Sequence, residues 1–242
     1  PATAQRAAPP NELRDYARAR AADAAGEPVL AAAGYARTLA AVPDDPVLAM
    51  RAYRQGLAAG DFALATRAAA VLVKAGTAPP DTDLLAFAVA LHGKDRLGAE
   101  RALERLARAQ LDFMVPVLGA WLAVDRGQDP LPLLDTARGN PLASRFAGRN
   151  RALLLIASGK ADQGLFALAA ARGTEDASDR RIDAGIALLR TGKGDQARFV
   201  LGDLAGASPA WRKREAKAGR PGAAFGAAHV FLSLASDLGS ED

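Results

Sequence analysis

A repeat of 33 or 34 residues runs along this chain and restricts its fold more than any other feature of the sequence. The step of 34 recurs in three sets of residues: Gly26 and Gly60; Ala31, Ala65 and Ala99; and Asp61, Asp95 and Asp129. The clearest copies are Ser158–Leu168 and Thr191–Leu201, which match at a step of 33 with Gly, Lys, Asp, Gln, Phe and Leu identical. Such periods are typical of arrays in which each small unit packs on its neighbours. The repeat therefore predicts a stack of similar units.

The composition indicates that these units are helical. Half of the 242 residues are apolar, enough to bury a sizeable core, but only 5% are aromatic and alanine is very abundant. Alanine has the highest helix propensity, whereas sheets favour the β-branched and aromatic residues that are scarce here. The spacing predicts six helix pairs and a last helix, at 12–24/28–41, 46–58/61–75, 81–92/95–109, 112–125/130–138, 143–157/161–171, 178–190/194–206 and 222–238.

Several units resemble the tetratricopeptide repeat (TPR), a helix, a tight turn and an antiparallel helix. The first unit has Gly26 at the turn, then Ala31 and Tyr35, and Pro43 at its end; the sixth has Gly192, Ala197 and Pro209 in the corresponding places. The resemblance implies an all-α fold, an α-solenoid of about six antiparallel hairpins in a right-handed superhelix. The sequence Asp129-Pro-Leu-Pro132 departs from the family and predicts a short or distorted helix, because proline fits only the first helical turn. A related α-solenoid with irregular pairs is the alternative.

The expected organisation is a flexible lead-in over 1–10 and one repeat domain over 11–242, ending in an unpaired helix. That last helix suggests the N-terminal part of a longer protein. Residues 1–5, Pro-Ala-Thr-Ala-Gln, resemble the small-residue end of a secretory signal peptide, which favours a periplasmic or otherwise exported protein of a bacterium. A cytoplasmic location is the alternative.

The sequence offers little for catalysis or for metal binding. It has no cysteine and only two histidines, His92 and His229, and neither a G-x-S-x-G nor an H-E-x-x-H motif occurs. Gly192–Ala197 formally matches a dinucleotide-binding fingerprint, but helical spacing precedes it and its sister copy has Ala161 in place of the middle glycine. We therefore predict a repeat turn there, no enzyme activity, no cofactor and no metal. No apolar run reaches the roughly 18 residues of a membrane span.

Basic residues concentrate in the second half of the chain. Residues 138–220 contain 16 basic and 8 acidic residues, against 15 and 16 in residues 1–137. First helices line the concave side of TPR arrays, so the resemblance places the basic residues of units five and six in a groove. The predicted partner-binding residues are Arg145, Arg149, Asn150, Arg181, Arg190, Arg212, Lys213 and Arg214. We expect an acidic or C-terminal segment of a partner to lie across units four to six, with the basic connection 212–220 at the rim of the groove.

Three functions are compatible with this pattern. The favoured one is a protein-interaction scaffold that holds a peptide or protein segment, in bacterial envelope assembly or export. The second is a binder of nucleic acid or another anionic polymer, which the basic half favours but the modest net charge of +4 and the few aromatic residues argue against. The third is a regulatory domain of an enzyme located downstream.

Overall fold

The computed structural model describes residues 10–170, 177–202 and 209–239, and all regular structure in these ranges is helical. The lead-in expected over 1–10 lies almost entirely outside the described residues. The chain divides into two compact units, residues 1–89 and 90–242. Each unit is described here by itself.

The first unit is built from consecutive antiparallel helices. Its helices are α1 (Pro10–Ala24), α2 (Pro28–Ala41), α3 (Pro46–Ala59) and α4 (Phe62–Lys74), and α5 (Thr82–His92) begins within it. Each of α1 to α3 packs on the next helix along the chain. Two tyrosines, Tyr35 and Tyr53, are the largest side chains of its core, with Leu64 and Leu72 beside them.

The second unit contains nine α-helices in its described residues. These are α6 (Arg96–Leu106), α7 (Val115–Asp125), α8 (Leu131–Asp135), α9 (Pro141–Ala157), α10 (Ala161–Ala170), α11 (Ala177–Arg190), α12 (Gly194–Leu201), α13 (Pro209–Lys217) and α14 (Ala223–Gly239). The first helices of successive pairs, α7, α9 and α11, pack on one another in chain order, and each also packs on its own second helix. A short 3₁₀ turn at Asp112–Met114 leads into α7.

The recurring glycine and the recurring aspartate have physical roles at the turns where they occur. Gly60 has φ 71°, a left-handed conformation that ends α3 and that glycine adopts without the steric cost of a Cβ. Asp61 then caps α4, since its carboxylate accepts a hydrogen bond of 2.9 Å from the backbone N–H of Leu64. Asp95 caps α6 in the same way through Gly98. At these turns the recurring aspartate therefore marks where the second helix begins.

Small residues allow the two helices of a pair to approach closely. The four alanines predicted to lie at such contacts, Ala31, Ala65, Ala99 and Ala197, are fully buried, which confirms the predicted register. In the first unit, a Cβ added to Gly56 of α3 would lie 3.0 Å from the backbone nitrogen of Ala65 in α4. Backbones this close leave no room for larger side chains.

The predicted helix pairs are confirmed within a few residues, including the short helix at the Pro130/Pro132 segment, where α8 has five residues. Positions 203–206 of the helix predicted over 194–206 lie outside the described residues. The turn at Gly192 joins two helices, as predicted. Two expectations are wrong. The supposed connection after Ser208 contains helix α13, whose run of Ala, Arg, Lys and Glu residues has high helix propensity. The last helix is not unpaired, because α14 packs on α7 and α9.

Replacing Ala65 with Leu is expected to destabilise the protein by about 1–3 kcal/mol, because three added carbons must fit between packed backbones. Thermal or urea unfolding followed by circular dichroism measures the change. The matched control is Ala70→Leu on the exposed side of the same helix, which should leave stability almost unchanged. Equal stability of the two variants would contradict the close contact of α3 and α4.

Candidate functional site

The candidate site is the face of the second unit formed by the first helices α7, α9 and α11, where the sequence predicted a binding groove. In the structure, helix α14 of the same chain lies against this face. Its inward side consists of Ala223, Gly226, Ala227 and Val230, all buried, at the i, i+3, i+4, i+7 spacing of one helical stripe. The predicted groove is therefore covered by the C-terminal helix of this chain.

Trp121 of α7 is the centre of this contact. Its side chain is fully buried, and its indole N–H donates a 3.0 Å hydrogen bond to Oδ1 of Asn150. Gly226 of α14 lies directly over the indole, so close that a Cβ at this position would lie 1.9 Å from a ring carbon. Asp125, at the end of α7, accepts a 3.0 Å hydrogen bond from the N–H of Ala223 and so caps the start of α14.

Asn150 was predicted to contact a partner, but its side chain is 2% exposed and its amide is used internally. Besides accepting the Trp121 hydrogen bond, it donates one of 3.0 Å to the carbonyl of Phe146. A buried amide without such partners would be costly, so the role of Asn150 is to satisfy the tryptophan inside the core. The prediction for this residue is wrong.

The predicted arginine pair lies on the expected face, but both residues already hold a carboxylate. Arg149 donates to both carboxylate oxygens of Asp237 at 3.0 and 2.9 Å, and Arg145 donates to the same group at 2.6 Å. Asp237 belongs to α14, and its side chain and that of Arg149 are less than one fifth exposed. Charge-assisted hydrogen bonds in such a setting are stronger than those of surface pairs. The two arginines therefore fasten α14 and are not free to bind the carboxylate of a partner.

Arg190, at the end of α11, links α13 and α14. It donates two hydrogen bonds, of 3.1 and 2.9 Å, to Glu215 of α13, and its guanidinium lies 5.0 Å from the ring centre of Phe225 in α14. His229 packs on the same ring and lies 3.2 Å from a carboxylate oxygen of Asp183. These contacts fix both C-terminal helices on α11.

Arg181 has a structural role of another kind. Its guanidinium donates to the carbonyls of Val200 and Leu201, at 2.8 and 3.0 Å, where α12 ends. The last carbonyls of a helix lack partners within the helix and carry partial negative charge, which a cation satisfies. Arg181 is thus a C-terminal cap of its own repeat.

The remaining predicted residues are on α13 and face outward. Lys213 and Arg214 are exposed, Arg212 is half-exposed, and Lys217 one turn on is also exposed. Glu215 is the only acidic residue in the helix, and it is turned inward to Arg190 with 9% exposure. The sequence had assigned these cations to a loop, and the helix now gathers them on one surface.

The first unit contains a comparable internal cluster that the sequence did not reveal. Asp23 of α1 accepts hydrogen bonds from the Tyr35 hydroxyl at 2.9 Å, the Gln55 amide at 2.7 Å and Arg20 at 3.2 Å. Burial, together with the hydrogen bond to Asp23, raises the pKa of Tyr35. The cluster joins residues 32 positions apart, so spacing within a helix gives no signal for it.

Among the described residues, no group of three or more His, Cys, Asp or Glu side chains is arranged to hold a metal ion. None of the described helices has the length and apolar character needed to cross a membrane. Comparisons with protein-family models, with curated proteins and with solved structures find no match.

Replacing Gly226 with Ala is expected to lower stability by about 1–3 kcal/mol, although alanine is the better helix former, because the new methyl group collides with Trp121. Unfolding monitored by tryptophan fluorescence measures the effect. The control is Gly148→Ala in α9, where a Cβ meets nothing within 4 Å, so stability should rise by about 0.5–1 kcal/mol. A stabilising Gly226→Ala change would show that α14 does not lie on Trp121.

Replacing Arg149 with Ala should loosen α14, because Asp237 would lose two charge-assisted hydrogen bonds in a half-buried position. Hydrogen exchange read out by mass spectrometry should be faster in peptides from residues 223–239 and unchanged in those from residues 28–59. Arg151→Ala is the control, since this exposed arginine pairs with Asp135 of α8. Unchanged exchange in α14 would contradict the fastening role of Arg149.

Proposed function

We propose that this chain is a protein-interaction scaffold and that helix α13 binds an acidic segment of a partner protein. The observation that supports this proposal is the outward surface of α13, where Lys213, Arg214 and Lys217 are exposed and neighbouring. Five other residues that the sequence assigned to binding have partners within the chain. The cations of α13 are the most exposed part of the predicted binding surface, and among them Arg214 lies 3.6 Å from Glu215 of its own helix while its side chain stays 75% exposed.

The charge of this surface arises from the way α13 is held. Lys217 lies one helical turn beyond Lys213 and Arg214, at i+4 and i+3, so the three side chains are neighbours on one side of the helix. Their helix has one acidic residue, Glu215, and Arg190 draws it inward with a hydrogen bond of 2.9 Å. A local excess of positive charge attracts acidic segments and raises the rate of their encounter.

The support beneath α13 favours binding as well. The helix packs on α11, and the Arg190–Glu215 pair, with side chains 22% and 12% exposed, fixes its orientation. Binding to a surface held in this way costs less ordering entropy than binding to a mobile basic tail. This is the manner in which helical-repeat proteins generally act, as rigid platforms for other molecules.

Two finer statements belong to this proposal. We propose that the helix pairs form a TPR-like, right-handed α-solenoid, on the basis of the 33–34-residue repeat and the ordered packing of neighbouring helices within each unit. We also propose that the protein acts by binding alone, in the bacterial envelope. The partner is then a protein of envelope assembly or export.

Reversing the three charges, Lys213→Glu with Arg214→Glu and Lys217→Glu, should weaken binding of an acidic peptide by at least about tenfold. The probe is a fluorescein-labelled peptide rich in Asp and Glu, followed by fluorescence anisotropy. The control carries Glu in place of Arg54, Arg67 and Arg96, which are exposed and scattered, so the net charge changes equally. Equal loss in both variants, or no binding by the unchanged protein, would contradict a site on α13.

The same cations make binding of nucleic acid or another anionic polymer the second candidate. A single-stranded oligonucleotide in the same assay distinguishes nucleic-acid binding from peptide binding. The logarithm of the binding constant for a phosphate backbone falls steeply and linearly with the logarithm of the salt concentration. Tighter binding of the oligonucleotide than of the peptide, with that salt dependence, would establish the second candidate in place of the first.

A further inference from the structure

We draw no further inference here: the strongest candidate, the exposed apolar surface of the second unit formed by Phe166 on α10 and Phe199 on α12, carries none because nothing in the structure shows what covers these two side chains.

Discussion

The close approach of paired helices is the constraint on which the rest of this structure depends. In most of the pairs it is set by one small residue of the second helix, among them Ala31, Ala65 and Ala197, which are fully buried. In the fifth pair a glycine has this place: a Cβ added to Gly164 would lie 2.6 Å from the side chain of Ile156 and 2.9 Å from a backbone oxygen. Backbone contact therefore fixes the separation of the two helices in each of these pairs. Larger side chains lie on the surfaces between pairs.

The pairs of the second unit leave the faces of α7, α9 and α11 without a cover of their own, and this determines what the C-terminal helices do. Trp121 would be exposed on that face if α14 were absent. Because Gly226 lies over the ring, the α14 backbone can reach van der Waals distance of the indole. The indole N–H is then buried, and it donates its hydrogen bond to the Asn150 amide oxygen in place of water. Charge then fixes the far end of the helix through Asp237 and the arginine pair. Packing provides most of the contact, and the buried polar groups determine its register.

Much of the fold could be predicted from sequence, because its information is local. Turn glycines, capping aspartates and apolar spacing act within a few residues, and these define the ends of α2 to α12 to within a few positions. The contacts of the site are not local. Arg149 and Asp237 are 88 residues apart, and Asp125 and the N–H of Ala223 are 98 apart. The sequence predicted that Arg145 and Arg149 bind a carboxylate of a partner, and it gave no means of knowing that Asp237 of the same chain occupies both of them.

The partners of the arginines show which positive charges hold helices in place and which are exposed to solvent. Four arginines bind an acceptor within their own unit and so hold helices in place: Arg20, Arg149, Arg181 and Arg190. One of these bonds turns Glu215 inward, so that it is 9% exposed, whereas Lys213, Arg214 and Lys217 stay exposed, with Glu215 3.6 Å from Arg214. The internal ion pair and the external basic surface are therefore one arrangement, because the contact that holds α13 in position also exposes its positive charge.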